Sequence, residues 1–506
     1  MSSSLQLLYN QRFGKHFVNG SLGFEARQNN SSSTSARYSG FPSGELSSIM
    51  FSQIIRDKPI ESDNKTKNVG AFFRINYSYN DIYLFDTSVR FDGSSEFGSD
   101  KKYAPFWSTG IGVNIHKYAF LADSRIINQL KLTATFGQTG KLNFAPYAAK
   151  DIYDIFSKNW YSTGMGVKLK ALGNENLTWE KKNNYDLKIE TSLFDDMIYL
   201  KASYYNSRTK DMVSSITIPS SFGFTSYYDN LGEIENKGYE LDLRLNLISK
   251  KDVFLNLYGN LAHNKNKILK IANSLREYND KVNEYYDGYS EYTSYKEEYA
   301  KPFTKYVEGG STTSIFGMKS LGINPTNGKE VFVKKDGSIT YEWDANEQQI
   351  LGNTLPDIQG SFGFNFSYKS LSLFVNFMYE YGGQQYNSTY ASRIESVDLY
   401  NYNADKRVLT DRWKKIGDRS PLKDIADRGA YSRPTSRFVQ DNNFIDFNSL
   451  TLSYNLMNDF IKKLNLSRVK LQFTMNNVAH ISSIKRERGT SYPFARNFDF
   501  TLSVSL

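Results

Sequence analysis

Between Gly238 and Ala262, apolar and polar residues take turns along the chain. Tyr239, Leu241, Leu243, Leu245 and Leu247 alternate with Glu240, Asp242, Arg244 and Asn246. A polar turn at Ser249–Asp252 follows, and then Val253, Leu255, Leu257 and Leu261 alternate with Asn256, Tyr258 and Asn260. Successive side chains of a strand point to opposite faces. This hairpin therefore has one nearly pure apolar face and one face of mixed charge and amides. A soluble sandwich would turn the apolar face inward. A barrel in a membrane would turn it to lipid and keep the polar face on a wet lumen.

The same alternation recurs along the chain. Leu5–Phe13 and Phe17–Arg27 form a hairpin about Gly14. Ala71–Tyr79 and Tyr83–Phe91 turn at Asn80-Asp81, and strands follow at Trp107–Ile115 and Leu130–Phe136. Tyr185–Leu193 pairs with Ile198–Tyr204, and Phe362–Tyr368 pairs with Leu371–Tyr379. The last three strands carry Leu450 to Leu456, Val469 to Met475 and Phe498 to Leu506. The count is about 15 strands of roughly 9–14 residues, long enough to cross a bilayer at a tilt. Short turns alternate with long loops, placed at about 31–68, 141–181, 212–237, 271–358 and 384–443. Outer-membrane barrels have this asymmetry, with short periplasmic turns and long outer loops. The expected fold is all-β: a transmembrane antiparallel up-and-down barrel in a single partial barrel domain spanning residues 1–506.

Composition sharpens this reading. The 506 residues include 37 Tyr and 35 Phe, an aromatic share of 15%. That fits interfacial girdles. Mean hydropathy is −0.53, and no apolar run reaches the length of a membrane-spanning helix. There is no cysteine, so disulfides and thiolate metal sites are excluded. The net charge of +9 is spread among acids, without a basic block, and a nucleic-acid partner is not expected. The four histidines lack metal spacing, no catalytic motif is present, and neither a cofactor nor enzymatic activity is expected. A barrel-wall enzyme would need a serine, histidine and acid cluster in hydrogen-bond reach. The first residues, MSSSLQLLYN, carry no apolar signal segment. An exported barrel without one is expected to be a fragment, with an unpaired edge at its first strand.

Several stretches, in order along nearly the whole chain, resemble the SusC-like TonB-dependent transporters. Arg90-Phe91-Asp92-Gly93-Ser94-Ser95, then Phe97-Gly98, is similar to one family signature, and Gly137-Gln138-Thr139-Gly140 to its next strand end. Asn176-Leu177-Thr178-Trp179-Glu180 matches an Asn-x-x-Trp-Glu motif. Asn230-Leu231-Gly232-Glu233 and Asn236-Lys237-Gly238-Tyr239-Glu240 match another pair. Gly352-Asn353-Thr354-Leu355-Pro356 and Asp411-Arg412-Trp413 add two more. The resemblance implies a barrel of about 22 strands in the bacterial outer membrane. It also implies a plug and a TonB box, neither present in this chain, and a SusD-like surface lipoprotein as lid. The implied activity is import of oligosaccharides or oligopeptides, energised by TonB. The alternative is a truncated barrel with only a structural or surface role.

Candidate residues follow from position. Gly93 permits a turn, Trp179 reads as a girdle residue beside Glu180, and Asn236, Gly238 and Glu240 read as strand-start and wall residues. Arg90, Asp92, Asp186, Lys188, Glu190, Glu240, Asp242, Arg244 and Glu380 share the polar face. They are expected to line the lumen or to contact the plug. Tyr285, Tyr286, Tyr289, Tyr292, Tyr295 and Tyr299 lie in the longest loop. Each offers a flat ring and a hydroxyl suited to a sugar, a peptide or a lid protein.

Overall fold

The computed structural model describes residues 1–56, 60–97, 102–141, 147–174, 177–217, 226–230, 232–290, 292–397, 403–427, 430–456, 466–485 and 496–505. Gly98, Asn176, Leu231 and Leu506 lie outside the described residues.

One antiparallel sheet of 15 strands, joined in chain order, organises the molecule. The strands are β1 (Ser2–Phe13), β2 (His16–Ser35), β3 (Ile60–Tyr79), β4 (Tyr83–Ser94) and β5 (Tyr103–Asn114). They continue with β6 (Ile127–Lys141), β7 (Glu180–Leu193), β8 (Ile198–Lys210), β9 (Gly232–Ser249) and β10 (Val253–Ile271). The remainder are β11 (Ile358–Tyr368), β12 (Leu371–Tyr386), β13 (Val439–Leu456), β14 (Arg468–Ser482) and β15 (Phe498–Ser505). Among the described residues β1 and β15 are the two edges and do not pair with each other.

Register aligns the apolar faces from strand to strand. Leu22 pairs with Phe73, Phe73 with Val89, and Val89 with Trp107. Leu187 pairs with Tyr204, and Tyr204 with Tyr239. Phe362 pairs with Phe377, Phe377 with Phe447, and Leu452 with Phe473. A shift of one residue at any of these ladders would turn a whole apolar set to the polar face. The apolar face is uncovered by protein: Leu187, Ile189 and Ile111 are 59%, 46% and 63% exposed. Large apolar side chains left open over a whole sheet mark contact with hydrocarbon.

The tight turns follow from their residues. Asn80 and Asp81 both have φ of 54°, and the Ile82 amide donates to the Tyr79 carbonyl at 3.0 Å. Positive φ at both central residues matches the twist of a hairpin, and Asn and Asp tolerate it.

The ladders run further than the alternation indicated. The segment 31–68, expected as loop, contributes residues 31–35 to β2 and 60–68 to β3, paired as far as Ser35 with Ile60. Backbone ladders need no apolar side chains, so the Ser- and Asn-rich ends pair although their pattern is silent. The other long segments also fold. Residues 141–181 hold a hairpin of Ile152–Tyr161 with Gly164–Ala171, and 212–237 hold Val213–Thr217 with Ser226–Asn230. Residues 271–358 hold the helix α1 (Asn273–Asp287) and small strands, and 384–443 include the ends of β12 and β13.

A charge at the middle of the apolar face should destabilise the protein strongly. Ile189→Arg is expected to cost about 2–4 kcal/mol. Ser203→Arg, on the polar face, should cost under about 1 kcal/mol. Urea titration of protein folded into phosphatidylcholine vesicles would check both; equal costs would refute the assignment of faces.

Candidate functional site

The polar face of β6–β10 carries a hollow of about 610 Å³ lined by Asp186, Lys188, Glu240, Lys201, Tyr205 and Asn264. Parity puts Glu190, Asp242, Arg244 and Glu380 on the same face, alternating with the apolar set. Arg244 lies 5.6 Å from the ring centroid of Tyr199 and 3.9 Å from Asp242. Gly238 has a role the sequence did not show. It pairs with Tyr205, and a Cβ there would sit 1.9 Å from the His263 carbonyl oxygen and 2.7 Å from the Tyr205 hydroxyl. The glycine leaves room for the Tyr205 ring to lie across the neighbouring strand, where its hydroxyl donates to Asn264 Oδ1 at 3.0 Å. Asn236 Oδ1 accepts from Asn264 and Asn266 at 3.3 and 2.9 Å, tying β9 to β10.

A second hollow, about 300 Å³, lies at the long-loop end of β2–β4. Arg90 Nε donates to both Asp92 oxygens at 2.6 and 2.7 Å, and its Nη2 reaches Glu25 at 3.1 Å. Gly93 receives the Tyr103 ring, whose nearest carbon would be 2.3 Å from an added Cβ. Ser94 Oγ accepts from the Glu96 amide at 3.3 Å. The Asp-Gly-Ser stretch thus fixes both a charge cluster and a turn.

Trp179 borders this hollow and corrects the girdle expectation. It is only 7% exposed and packs on Phe97 and Phe106, with ring centroids at 4.5 and 5.3 Å. The indole fills an aromatic cluster where the loop folds back over the strand ends, so it cannot reach the membrane boundary. Trp179 Nε1, Glu180 Oε2 and Asn68 Oδ1 are buried without a hydrogen-bond partner among the described residues.

The tyrosines divide by environment. Tyr286 is fully buried and Tyr299 is 6% exposed, so both are corrected from contact candidates to core residues. They join Val282, Met318, Phe332 and Trp343. The physical reason is α1, whose helical repeat turns Val282 and Tyr286 to one face. The Tyr286 hydroxyl donates to the Lys301 carbonyl at 2.6 Å. Tyr285 stacks on Tyr299 at 5.0 Å; burial and a hydrogen bond with Glu298 push its pKa up to about 12. Tyr289 is partly buried and donates to the Tyr431 carbonyl at 3.1 Å. Tyr292 and Tyr295 are 86% and 66% exposed and remain free for contact.

Two long loops are locked together by residues that periodicity does not reveal. Arg433 lies between Tyr289 and Trp343, 4.3 and 4.7 Å from their ring centroids. Arg437 binds Glu330 at 2.6 Å and Glu395 at 2.8 Å, and all three side chains are buried. Arg412 donates to the Ile394 carbonyl at 2.7 Å. Burial pushes the Glu395 pKa up, but Arg437, Lys423 and Arg412 outweigh it and hold the carboxyl below its usual range. Arg437 and Glu330 are 107 positions apart, so no local pattern could announce the pair. His480 bonds to Asp446, its cross-strand partner, with no serine hydroxyl bonded to the ring among the described residues.

The sheet, its exposed apolar face and its folded outer loops define a membrane receptor barrel. The chain belongs to the family described as TonB dependent receptor-like, beta-barrel, which it matches over residues 2–408. It is 28% identical over 484 residues to the TonB-dependent receptor P3 of Formosa agariphila, covering 93% of this chain and 47% of that protein. It is 32% identical over 194 residues to the TonB-dependent receptor SusC of Bacteroides thetaiotaomicron, covering 36% of this chain and 19% of that one. The solved RagAB peptide transporter shares the fold, with a TM-score of 0.82, 22% identity, and coverage of 99% of this chain and 55% of its own. The chain spans about half the length of Formosa receptor P3 and of the RagAB chain it matches. The chain is a SusC-like TonB-dependent receptor β-barrel of the bacterial outer membrane, and the curated relatives named here are receptors.

Removing Arg437 leaves Glu395 and Glu330 buried without their cation. Arg437→Met should therefore cost the loop assembly about 3–5 kcal/mol, read as faster trypsin cleavage between residues 271 and 438. Lys305, 8% exposed, donates to Asn283 Oδ1 at 2.6 Å. Burial, then Lys335, push its pKa down to about 8. The unfolded chain keeps that proton to about pH 10.4. Between these values the unfolded state binds more protons, so stability should rise with pH. Protease resistance of the loops should increase from pH 8 toward 10 and lose that slope in Lys305→Met.

Proposed function

We propose that this chain forms the barrel wall of a TonB-dependent importer of oligosaccharides or oligopeptides, working with a SusD-like surface lipoprotein. The observation that carries this reading is the pairing of a polar, hollowed inner face with long outer loops folded into a fixed assembly. A wide pathway needs a wetted wall, and a lid needs a rigid rim to close against. The peptide transport named for the RagAB complex supports the oligopeptide class. Energy would come from TonB acting through a plug and TonB box. Arg90, Asp92 and Glu25, open at the second hollow, offer both donors and acceptors to a docking plug. Tyr292 and Tyr295 are the rim residues best placed to touch solute or lid.

Tagged protein isolated from outer membranes should bring down a surface lipoprotein, and cells carrying it should take up labelled oligosaccharide or oligopeptide. Tyr292→Ala with Tyr295→Ala should weaken lipoprotein recovery or uptake about tenfold while leaving the barrel folded, in line with the loss of two aromatic contacts. Unchanged uptake after deletion of the gene, with no lipoprotein recovered, would favour the purely structural alternative.

A further inference from the structure

Above the aromatic boundary of β7–β10, the lipid-side face becomes strongly basic. The boundary itself is a row of Tyr185, Tyr204, Tyr239 and His263: Tyr204 pairs with Tyr239, and Tyr239 with His263, whose rings stack at 4.9 Å. Aromatic rows of this kind sit at headgroup level. Two positions further toward the long loops, on the same face, Lys237 pairs directly with Lys265. Further still, Lys181 pairs directly with Lys210, and Lys267 stands opposite Glu235. Arg208 completes the cluster.

The counter-charge present is insufficient. Glu233 takes Arg208 at 2.6 Å and Lys210 at 3.9 Å, and Glu235 is the second carboxylate on this face. Among the described residues Lys181, Lys237, Lys265 and Lys267 make no ion pair. Like charges directly opposite each other in a sheet repel. Two such lysine pairs, in the β7–β8 and β9–β10 ladders, are a cost that Glu233, shared between Arg208 and Lys210, offsets only in part among the described residues. An anion with several charges, held at headgroup height, relieves it.

We propose that this face binds the phosphate-bearing headgroup of an outer-leaflet lipid. Lys181 and Lys210 grip one side, and Lys237, Lys265 and Lys267 the other. The acyl chains of the lipid lie against the apolar row below, where Leu187 and Leu241 are exposed. The inference concerns the outside of the wall and does not depend on what passes through it. It extends the membrane interface already marked by the tyrosine row, and the charge on the patch selects an anionic lipid over a neutral one.

The test uses the full chain, purified in a nonionic detergent and titrated with diphosphorylated lipid A or with the same lipid stripped of phosphate. Native mass spectrometry counts the lipid retained. The phosphorylated lipid should bind at least about tenfold more tightly, and Lys237→Gln/Lys265→Gln and Lys181→Gln/Lys210→Gln should each weaken it by about tenfold. Lys65→Gln/Lys67→Gln, on β3, should leave it unchanged, and Lys237→Arg/Lys265→Arg should retain it. Heat-modifiable migration confirms that each variant is folded. Equal retention of the two lipids would overturn the proposal, as would equal binding by the patch variants and the β3 control. Complete displacement of the lipid by inorganic phosphate would also overturn it, in favour of a free-anion site. Uptake assays are not involved, so failure here leaves the transport reading standing.

Discussion

Pairing of the backbone in a solvent that offers no hydrogen bonds is the constraint on which everything else rests. In hydrocarbon, an unpaired amide or carbonyl costs several kcal/mol, roughly as much as the stability margin of many proteins. Strands must therefore bond to strands, and the ladder then decides which side chains face which way. The fifteen strands keep a register in which apolar residues meet apolar residues, as Leu22 meets Phe73 and Leu452 meets Phe473. Small residues serve the same constraint. Gly238 on the wet face and Gly93 on the apolar face each let a neighbouring aromatic ring lie across the sheet without breaking the ladder.

Outside the membrane the constraint reverses. Water can satisfy loose backbone, so the long loops could have remained open. Instead they build an interior of their own, around Tyr286, Trp343 and Met318 on one side and the Arg437–Glu330–Glu395 cluster on the other. The buried charges add little net energy relative to an apolar core. Their effect is specificity: Arg437 reaches both Glu330 and Glu395 only when segments from two different loops meet in one arrangement. The Arg433 side chain, between Tyr289 and Trp343, ties the same two segments by a second contact. A rim held this way presents Tyr292 and Tyr295 at fixed positions.

Legibility in the sequence followed the range of the interactions involved. The strands were readable because alternation is local, and the polar-face charges because parity carries them along. The ends of β2 and β3 were not readable: Ser31 to Ser35 pair through backbone alone, leaving no side-chain signal. Trp179 was misplaced because a tryptophan near a strand start looks the same whether it faces lipid or folds under a loop. Tyr286 looked like its exposed neighbours because interleaved Tyr, Glu and Lys hide a helix face whose partner, Trp343, lies far along the chain.

By itself the amino-acid order determined the sheet, its two unlike faces and the membrane it suits, since a two-residue repeat needs no partner to be expressed. Only the tertiary structure decided which tyrosines are core, how the loops interlock, and where lysines confront one another across β7–β10. Those facts depend on distances between residues that the chain separates widely, and no local repeat encodes such distances.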